Sequence, residues 1–271
     1  MIAEPRSTPA SPSLPEERRP LAIRVGRKVR IGLDALIARS SLIPNDPVLD
    51  ADLFGWAKML RDHWQAIRDE AVEVLERPEM VPLLDEISPD HQDIAPPGKW
   101  RSFFLHGYGF SVPQNLARCP RTAELVARIP DLNTAFFSIL APGAHIPAHR
   151  GVTKGLLTCH LGLIVPEGRL EMAVGPEVVR WAPGETILFD DSWTHEVWND
   201  TDQTRVILLL QVRRPLKVPG KWLADAFLWM IRKSPFVREA KDNVELWNAN
   251  LGKIERQHGL AMQAESGRNA Q

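Results

Sequence analysis

Eight histidines, at positions 63, 91, 106, 145, 149, 160, 195 and 258, carry most of the side-chain chemistry in this 271-residue chain. Three of them, His149, His160 and His195, stand at the starts of short apolar runs or within them, and His145 comes just before. An imidazole in such a place is either a hydrogen-bonded core group or a metal ligand. His145 and His149 are four apart, a spacing that would align them on a helix, but Pro142, Gly143 and Pro147 argue against a helix there. A His-x-Asp/Glu element with a distant second histidine is the sequence form of the two-histidine, one-carboxylate triad that holds non-haem iron. The candidate element here is His149-Arg150-Gly151, with glycine where the carboxylate would stand. The HExxH, P-loop, GxGxxG and GxSxG patterns are absent. A metal site and a set of core histidines both stay open on these residues alone. Asp190 and Asp191, shortly before His195, read as turn-forming carboxylates or as groups that orient a histidine. Glu196 faces away from His195 if that segment is extended, and Trp193 and Trp198 read as packing residues.

Elements must bring these residues together. Short runs rich in Ile, Val, Leu, Phe and Thr occur at 133–140, 156–165, 169–174, 177–181, 185–189, 195–198 and 205–212, separated by APG, PEG, VGP and NDTD turns. Many short strands without long helices between them predict a sandwich or barrel rather than a parallel sheet. Helix is expected on both sides. Leu53, Trp56, Leu60, Trp64, Ile67, Ala71 and Leu75 recur at helical spacing, as one long helix or two short ones, with Pro78 marking the end. A loop follows at 85–98 and a short helix at 122–128, and helices return at 222–231 and 237–251. Residues 1–21 are compositionally disordered and 257–271 read as a flexible tail.

Composition removes several function classes. With 44% hydrophobic residues the chain can build one substantial core. The 33 Lys plus Arg against 34 Asp plus Glu leave no global field for nucleic acid, and the basic stretch 24–30 reads as a solvated or subunit-contacting segment. Cys119 and Cys159 cannot form a disulfide framework. The first 20 residues do not read as a signal peptide, and no apolar run reaches the roughly 18 to 20 residues of a membrane span. A cytoplasmic protein is expected, with peripheral contact on the inner face of the cytoplasmic membrane left open.

The blocks WRSFFLHGYG (100–109), NTAFFSILAPGAHIPAHRG (133–151), CHLGLIVP (159–166), FDDSWTHEVWN (189–199) and TRVILLLQVRRP (204–215) add to this. In that order and spacing they resemble the aspartyl/asparaginyl beta-hydroxylase family of iron(II)/2-oxoglutarate-dependent dioxygenases, including its lipid A acyl-chain hydroxylase branch. The resemblance implies a mainly β fold with flanking α-helices, a double-stranded beta-helix (jelly-roll, cupin-like). A catalytic core would lie at 99–216, with an N-terminal helical and loop segment at 22–98 and C-terminal helices at 217–256. It implies Fe(II) bound by the catalytic His149 and His195, with Gly151 at the vacant carboxylate position. It implies 2-oxoglutarate held by Arg205 and Ser138 at its distal carboxylate and by His160 near the carboxylate next to the keto group, with dioxygen as cosubstrate. Thr158 stands where relatives commonly have arginine, so Lys154 or Arg150 is a candidate substitute. The first expectation for the substrate is an amino acid or peptide, which calls for cations in the pocket. The alternative is 2-hydroxylation of a lipid acyl chain, which calls for an open apolar groove. In that case 221–233 could lie in a bilayer surface rather than pack on the barrel or a partner subunit. A non-catalytic cupin-like protein binding a metal or small molecule is the third reading.

Overall fold

The apolar runs become strands because both of their faces are covered. A computed structural model describes residues 32–77, 81–88 and 94–268, with side chains as far as Leu251. The stretches 1–21 and 24–30 lie outside the described residues. The strands are β1 (Val48–Leu49), β2 (Trp100–Gly107), β3 (Phe110–Ser111), β4 (Leu132–Leu140), β5 (Ala144–His149), β6 (Leu156–Ile164), β7 (Leu170–Val174), β8 (Glu177–Val179), β9 (Thr186–Phe189), β10 (His195–Asn199) and β11 (Arg205–Arg213). They form a seven-stranded sheet in the order β1-β9-β6-β11-β4-β2-β3 and a four-stranded sheet in the order β5-β10-β7-β8. From β4 onward the chain passes back and forth between the two sheets, β7 and β8 counting as one hairpin. That winding is the double-stranded beta-helix.

Period-two alternation on the large sheet separates core from site. On β4, β6 and β11, Ala135, Phe137, Leu157, Cys159, Leu161, Val206, Leu208 and Leu210 join a core that includes Trp56, Leu60 and Ile67. The intervening Ser138, Thr158, His160, Arg205 and Gln211 face the space between the sheets. A strand buried on both faces reads as a continuous apolar run, interrupted only by the polar groups of the site.

The seven expected strands are present, with ends shifted by at most two residues. Sequence patterning missed four strands: the two-residue β1 and β3, and the longer β2 and β5. In β2, Arg101 and His106 interrupt the apolar pattern, and pairing with β4 stabilises it, with Phe104 stacked on Phe136 at 4.6 Å. β5 carries Pro147 and follows Pro142-Gly143, a composition that hides a strand. Its register against β10 pairs Val197 with Ile146 but His195 with His149, so β5 holds one extra residue at Pro147-Ala148. Such a bulge resets the alternation, and both Ile146 and His149 line the interior.

The helices are α1 (32–39), α2 (Gly55–Asp62), α3 (Trp64–Leu75), α4 (Leu84–Ile87), α5 (Pro113–Arg118), α6 (Pro120–Ala127), α7 (Gly220–Lys233) and α8 (Pro235–Arg268). The run from 52 to 75 is two helices, broken at His63, behind a 3-10 turn at Ala51–Leu53. The stretch expected to be loop from 85 contains most of α4, whose Leu84 and Ile87 are buried and pull it into helix. α8 as recorded runs into the stretch that reads as a tail in sequence.

Candidate functional site

Between the two sheets lies a cavity of about 340 Å³, and His149, His195, Ser138, Thr158, His160 and Arg205 all line it. Residues up to 67 positions apart in sequence thus share one interior.

His149 ends β5 and His195 opens β10, opposite one another in register, with ring centroids 4.1 Å apart. His149 Nδ1 lies 2.8 Å from the Pro147 carbonyl and His195 Nδ1 3.0 Å from the Trp193 carbonyl. A carbonyl can only accept, so both Nδ1 atoms carry the proton and each Nε2 keeps its lone pair. Burial, and then the neighbouring His195, pushes His149 down to about 4, and burial also lowers His195. Two neutral imidazoles with free Nε2 atoms are a donor set suited to a transition metal. Among the described residues no three His, Cys, Asp or Glu side chains gather as a metal cage.

Gly151 has a physical reason to be glycine. A Cβ built there would overlap the Asp191 carboxylate, and the Gly151 N–H donates to the Asp191 backbone carbonyl at 2.7 Å. Asp191 is held at Oδ2 by the Thr158 hydroxyl and the Gln211 amide, each at 3.0 Å. The neighbouring aspartates therefore part company. Asp191 borders the cavity, whereas Asp190 is buried in an ionic cluster with Lys154 at 2.5 Å and Arg214 at 2.6 Å. Removing either cation would leave a buried carboxylate undercompensated. Lys154, committed to Asp190, does not reach the cavity, which corrects its candidacy as the substitute cation. Arg150 does line the cavity, with its Nε donating to the Ser192 carbonyl at 2.6 Å.

Deeper in, Arg205 is 1% exposed, and among the described residues no carboxylate pairs with it. Its Nη2 donates to Ser138 Oγ at 3.1 Å, its Nε has no hydrogen-bond partner, and its guanidinium lies 5.1 Å from the Trp181 ring centre. Burial pulls this arginine down to about 9. A dry, unpaired cation is costly unless an anion joins it. Ser138 Oγ also accepts from Trp100 Nε1 at 2.9 Å, so its own proton remains to be donated. His160 Nδ1 accepts from Trp181 Nε1 at 3.3 Å, which fixes the tautomer with the proton on Nε2. Burial, reinforced by Arg205 and His195, keeps its pKa well below the ordinary histidine value. Arg205, Ser138 and His160 therefore all present donors in one buried corner.

Most of the rest of the wall is apolar, with Ser88, Tyr108 and Thr134 as its polar members. Ile87 of α4, Phe104 of β2, Phe110 of β3 and Phe236 and Val244 of α8 line it. Glu196 points away and pairs with His145 at 2.6 Å, and Trp198 stacks on His145 at 5.6 Å, as extended alternation requires. Sequence reasoning missed Gln211, Trp100 and Trp181, and left Asp191 undecided between turn and site. A polar residue at the site-facing phase of β11 could have flagged Gln211. The other three are placed by tertiary contacts alone.

The family model described as aspartyl/asparaginyl beta-hydroxylase matches residues 61–215. A protein named ornithine lipid ester-linked acyl 2-hydroxylase, from Rhizobium tropici, is 40% identical over 216 residues, 79% of this chain and 77% of that protein. Human aspartyl/asparaginyl beta-hydroxylase is 30% identical over 167 residues, 60% of this chain but only 21% of that protein. A solved Pseudomonas putida prolyl-4-hydroxylase aligns at 17% identity and a TM-score of 0.37, over 68% of this chain and 100% of that one.

Proposed function

The chain belongs to the aspartyl/asparaginyl beta-hydroxylase family, and on that premise we propose that it is an iron(II)- and 2-oxoglutarate-dependent hydroxylase acting on a lipid acyl chain. His149 and His195 would hold the metal through Nε2. Arg205 and Ser138 would bind the distal carboxylate of 2-oxoglutarate, and His160 would donate to the carboxylate next to the keto group. The buried unpaired guanidinium of Arg205 supports the fit, because a dicarboxylate supplies the anion that this corner lacks. Thr158, engaged with Asp191, is the residue that replaces the usual arginine, and Arg150 at the cavity wall is the remaining cation for that end. When bound, the metal with 2-oxoglutarate and dioxygen supplies the oxidising power that converts an unactivated C–H bond to C–OH.

The chain's own residues govern access. Asp191 occupies the space beside His149 that a side chain at 151 would take. The Phe104, Phe110, Ile87 and Val244 side chains exclude water from a substrate lying against them.

The observation that carries the lipid reading is this apolar wall. An amino-acid or peptide substrate needs cations, and Arg205 is committed to the cosubstrate corner in this account. The 40% identical lipid hydroxylase supports the same choice. An amino-acid or peptide substrate remains the second reading, favoured by Arg150. The test is to supply iron(II), 2-oxoglutarate and dioxygen with detergent-dispersed ester-linked acyl lipids in one arm and Asp- and Asn-containing peptides in the other. Mass spectrometry should show one added oxygen atom on the acyl chain. Addition to the peptide alone would reverse the order of the two readings, and no addition in either arm would favour a binding protein.

A further inference from the structure

Helix α7 is covered on one side only. Ala224 and Leu228 are buried, Gly220 packs so closely on Ser40 that no Cβ would fit, and Ala224 abuts Gly155. Trp222, Ala226, Trp229, Met230 and Lys233 are exposed, at positions that fall on a single stripe of the helix opposite the packed face. Trp222 is 68% exposed, Trp229 62% and Met230 56%, and Val218 just before the helix adds 50%. Scattered apolar residues on a surface need no explanation, but a contiguous row with two tryptophans does.

The exposed charges on and just before this helix have one sign. From Lys217 to Lys233 they are Lys217, Lys221 and Lys233, and beyond the helix exposed Arg238 is followed by exposed Glu239. The single acid from Lys217 to Lys233, Asp225, is half-buried between Arg213 at 2.8 Å and Lys221 at 2.7 Å. The C-terminal end of the helix also approaches the cavity. Arg232 lies against Gly109, next to the cavity residue Tyr108, and after Ser234 the chain enters α8, where Phe236, Val237, Ala240 and Val244 line the cavity. No described helix is long and apolar enough to cross a membrane, so contact with a bilayer through this element is with its surface.

Resting on the lipid reading of the site, we propose that the outer face of α7 docks on an anionic phospholipid bilayer and holds the nearby cavity at the membrane, where acyl chains enter it. Tryptophan favours the level of the headgroups, and lysines around an apolar stripe favour anionic lipid. Charge complementarity selects this occupant over a second copy of the chain, whose own α7 would bring the same positive charges.

The test is co-sedimentation of the full chain with vesicles of phosphatidylcholine alone and of phosphatidylcholine mixed with phosphatidylglycerol. Wild type should bind the mixed vesicles, and added salt should weaken that binding. Trp222→Ser/Trp229→Ser should lower the partition by about tenfold or more. Lys217→Glu/Lys233→Glu, which leaves the apolar row intact, should lose the preference for anionic vesicles. In parallel, hydroxylation of detergent-dispersed lipid should be unchanged in the tryptophan variant, while turnover of vesicle-embedded lipid falls with the partition. Failure of wild type to bind the mixed vesicles would overturn the docking surface, as would equal binding by the tryptophan variant, or a wild-type dimer that this variant splits. Absent hydroxylation in detergent would instead overturn the substrate reading, and the vesicle measurement does not depend on it.

Discussion

The cavity has two walls of different origin. The polar wall, Ser138, Thr158, His160, Arg205 and Gln211, stands on β4, β6 and β11, the central strands of the large sheet, each paired on both sides. The apolar lining has two sources: Phe136, Ile207 and Leu209 stand on those same central strands, whereas Ile87, Phe104, Phe110, Phe236 and Val244 come from α4, β2, β3 and α8, outside the barrel winding. Groups on doubly paired strands are held rigidly by neighbours on both sides, whereas the edge and the added helices can vary without disturbing them. The proposed cosubstrate contacts stand on the first of these groups, the proposed metal ligands His149 and His195 on β5 and β10 of the facing small sheet, and substrate choice is proposed for the elements outside the winding.

Substitutions can break this division or sharpen it. His149→Ala should abolish iron binding and bring turnover to background, and retained iron-dependent activity would dismiss the ligand assignment. Arg205→Ala should lower kcat/KM for 2-oxoglutarate on the order of 100-fold, as expected for losing one partner of a buried charge pair. An unchanged dependence on 2-oxoglutarate concentration would remove Arg205 from the cosubstrate corner. Ala240→Phe, on the apolar wall, should raise KM for an acyl substrate about tenfold and leave the 2-oxoglutarate dependence alone. Equal effects on both would erase the distinction between the walls. Gly151→Ala should destabilise the fold by about 1–3 kcal/mol through overlap with Asp191, and the double variant Gly151→Ala/Asp191→Gly should recover most of that in a denaturation experiment. No recovery would mean that the two side chains do not share that space.

The smallest effect is on pH dependence. His149 is held at about 4 in the fold against an ordinary value of 6.5, and His160 is also depressed. The unfolded chain therefore binds more protons, so this contribution is complete above the ordinary value and fades as pH falls toward 4. Metal-free protein should have a lower denaturation midpoint at pH 5 than at pH 7. A higher midpoint at pH 5 would mean that these rings are not buried neutral.

The two walls were not equally legible in the sequence. His160 stood out as an imidazole inside an apolar strand run, whereas Ser138 and Arg205 were picked out by family resemblance and only the structure shows strand alternation putting them on the same face. His149 was harder to place, since the bulge at Pro147-Ala148 that re-aims it also disguises β5 as loop. The meaning of Gly151 as a vacant carboxylate position came from family resemblance. Its contact with Asp191, forty residues on, is a tertiary fact that no local pattern carries. The apolar wall was not legible, because Ile87, Phe104 and Val244 belong to elements whose core-facing residues look like any others until packing assigns them to a cavity. The helical run at 222–231 was visible, but only its packed face, Ala224 and Leu228, reveals which side remains exposed.

Single-turnover reaction of the iron(II) protein with 2-oxoglutarate, heavy-isotope dioxygen and a detergent-dispersed acyl lipid tests the metal ligands and the substrate together. One labelled oxygen atom should appear on the acyl chain for each succinate formed, with both products lost in His149→Ala. Succinate formed without label in the lipid, or lipid labelling that persists in His149→Ala, would contradict the proposed function.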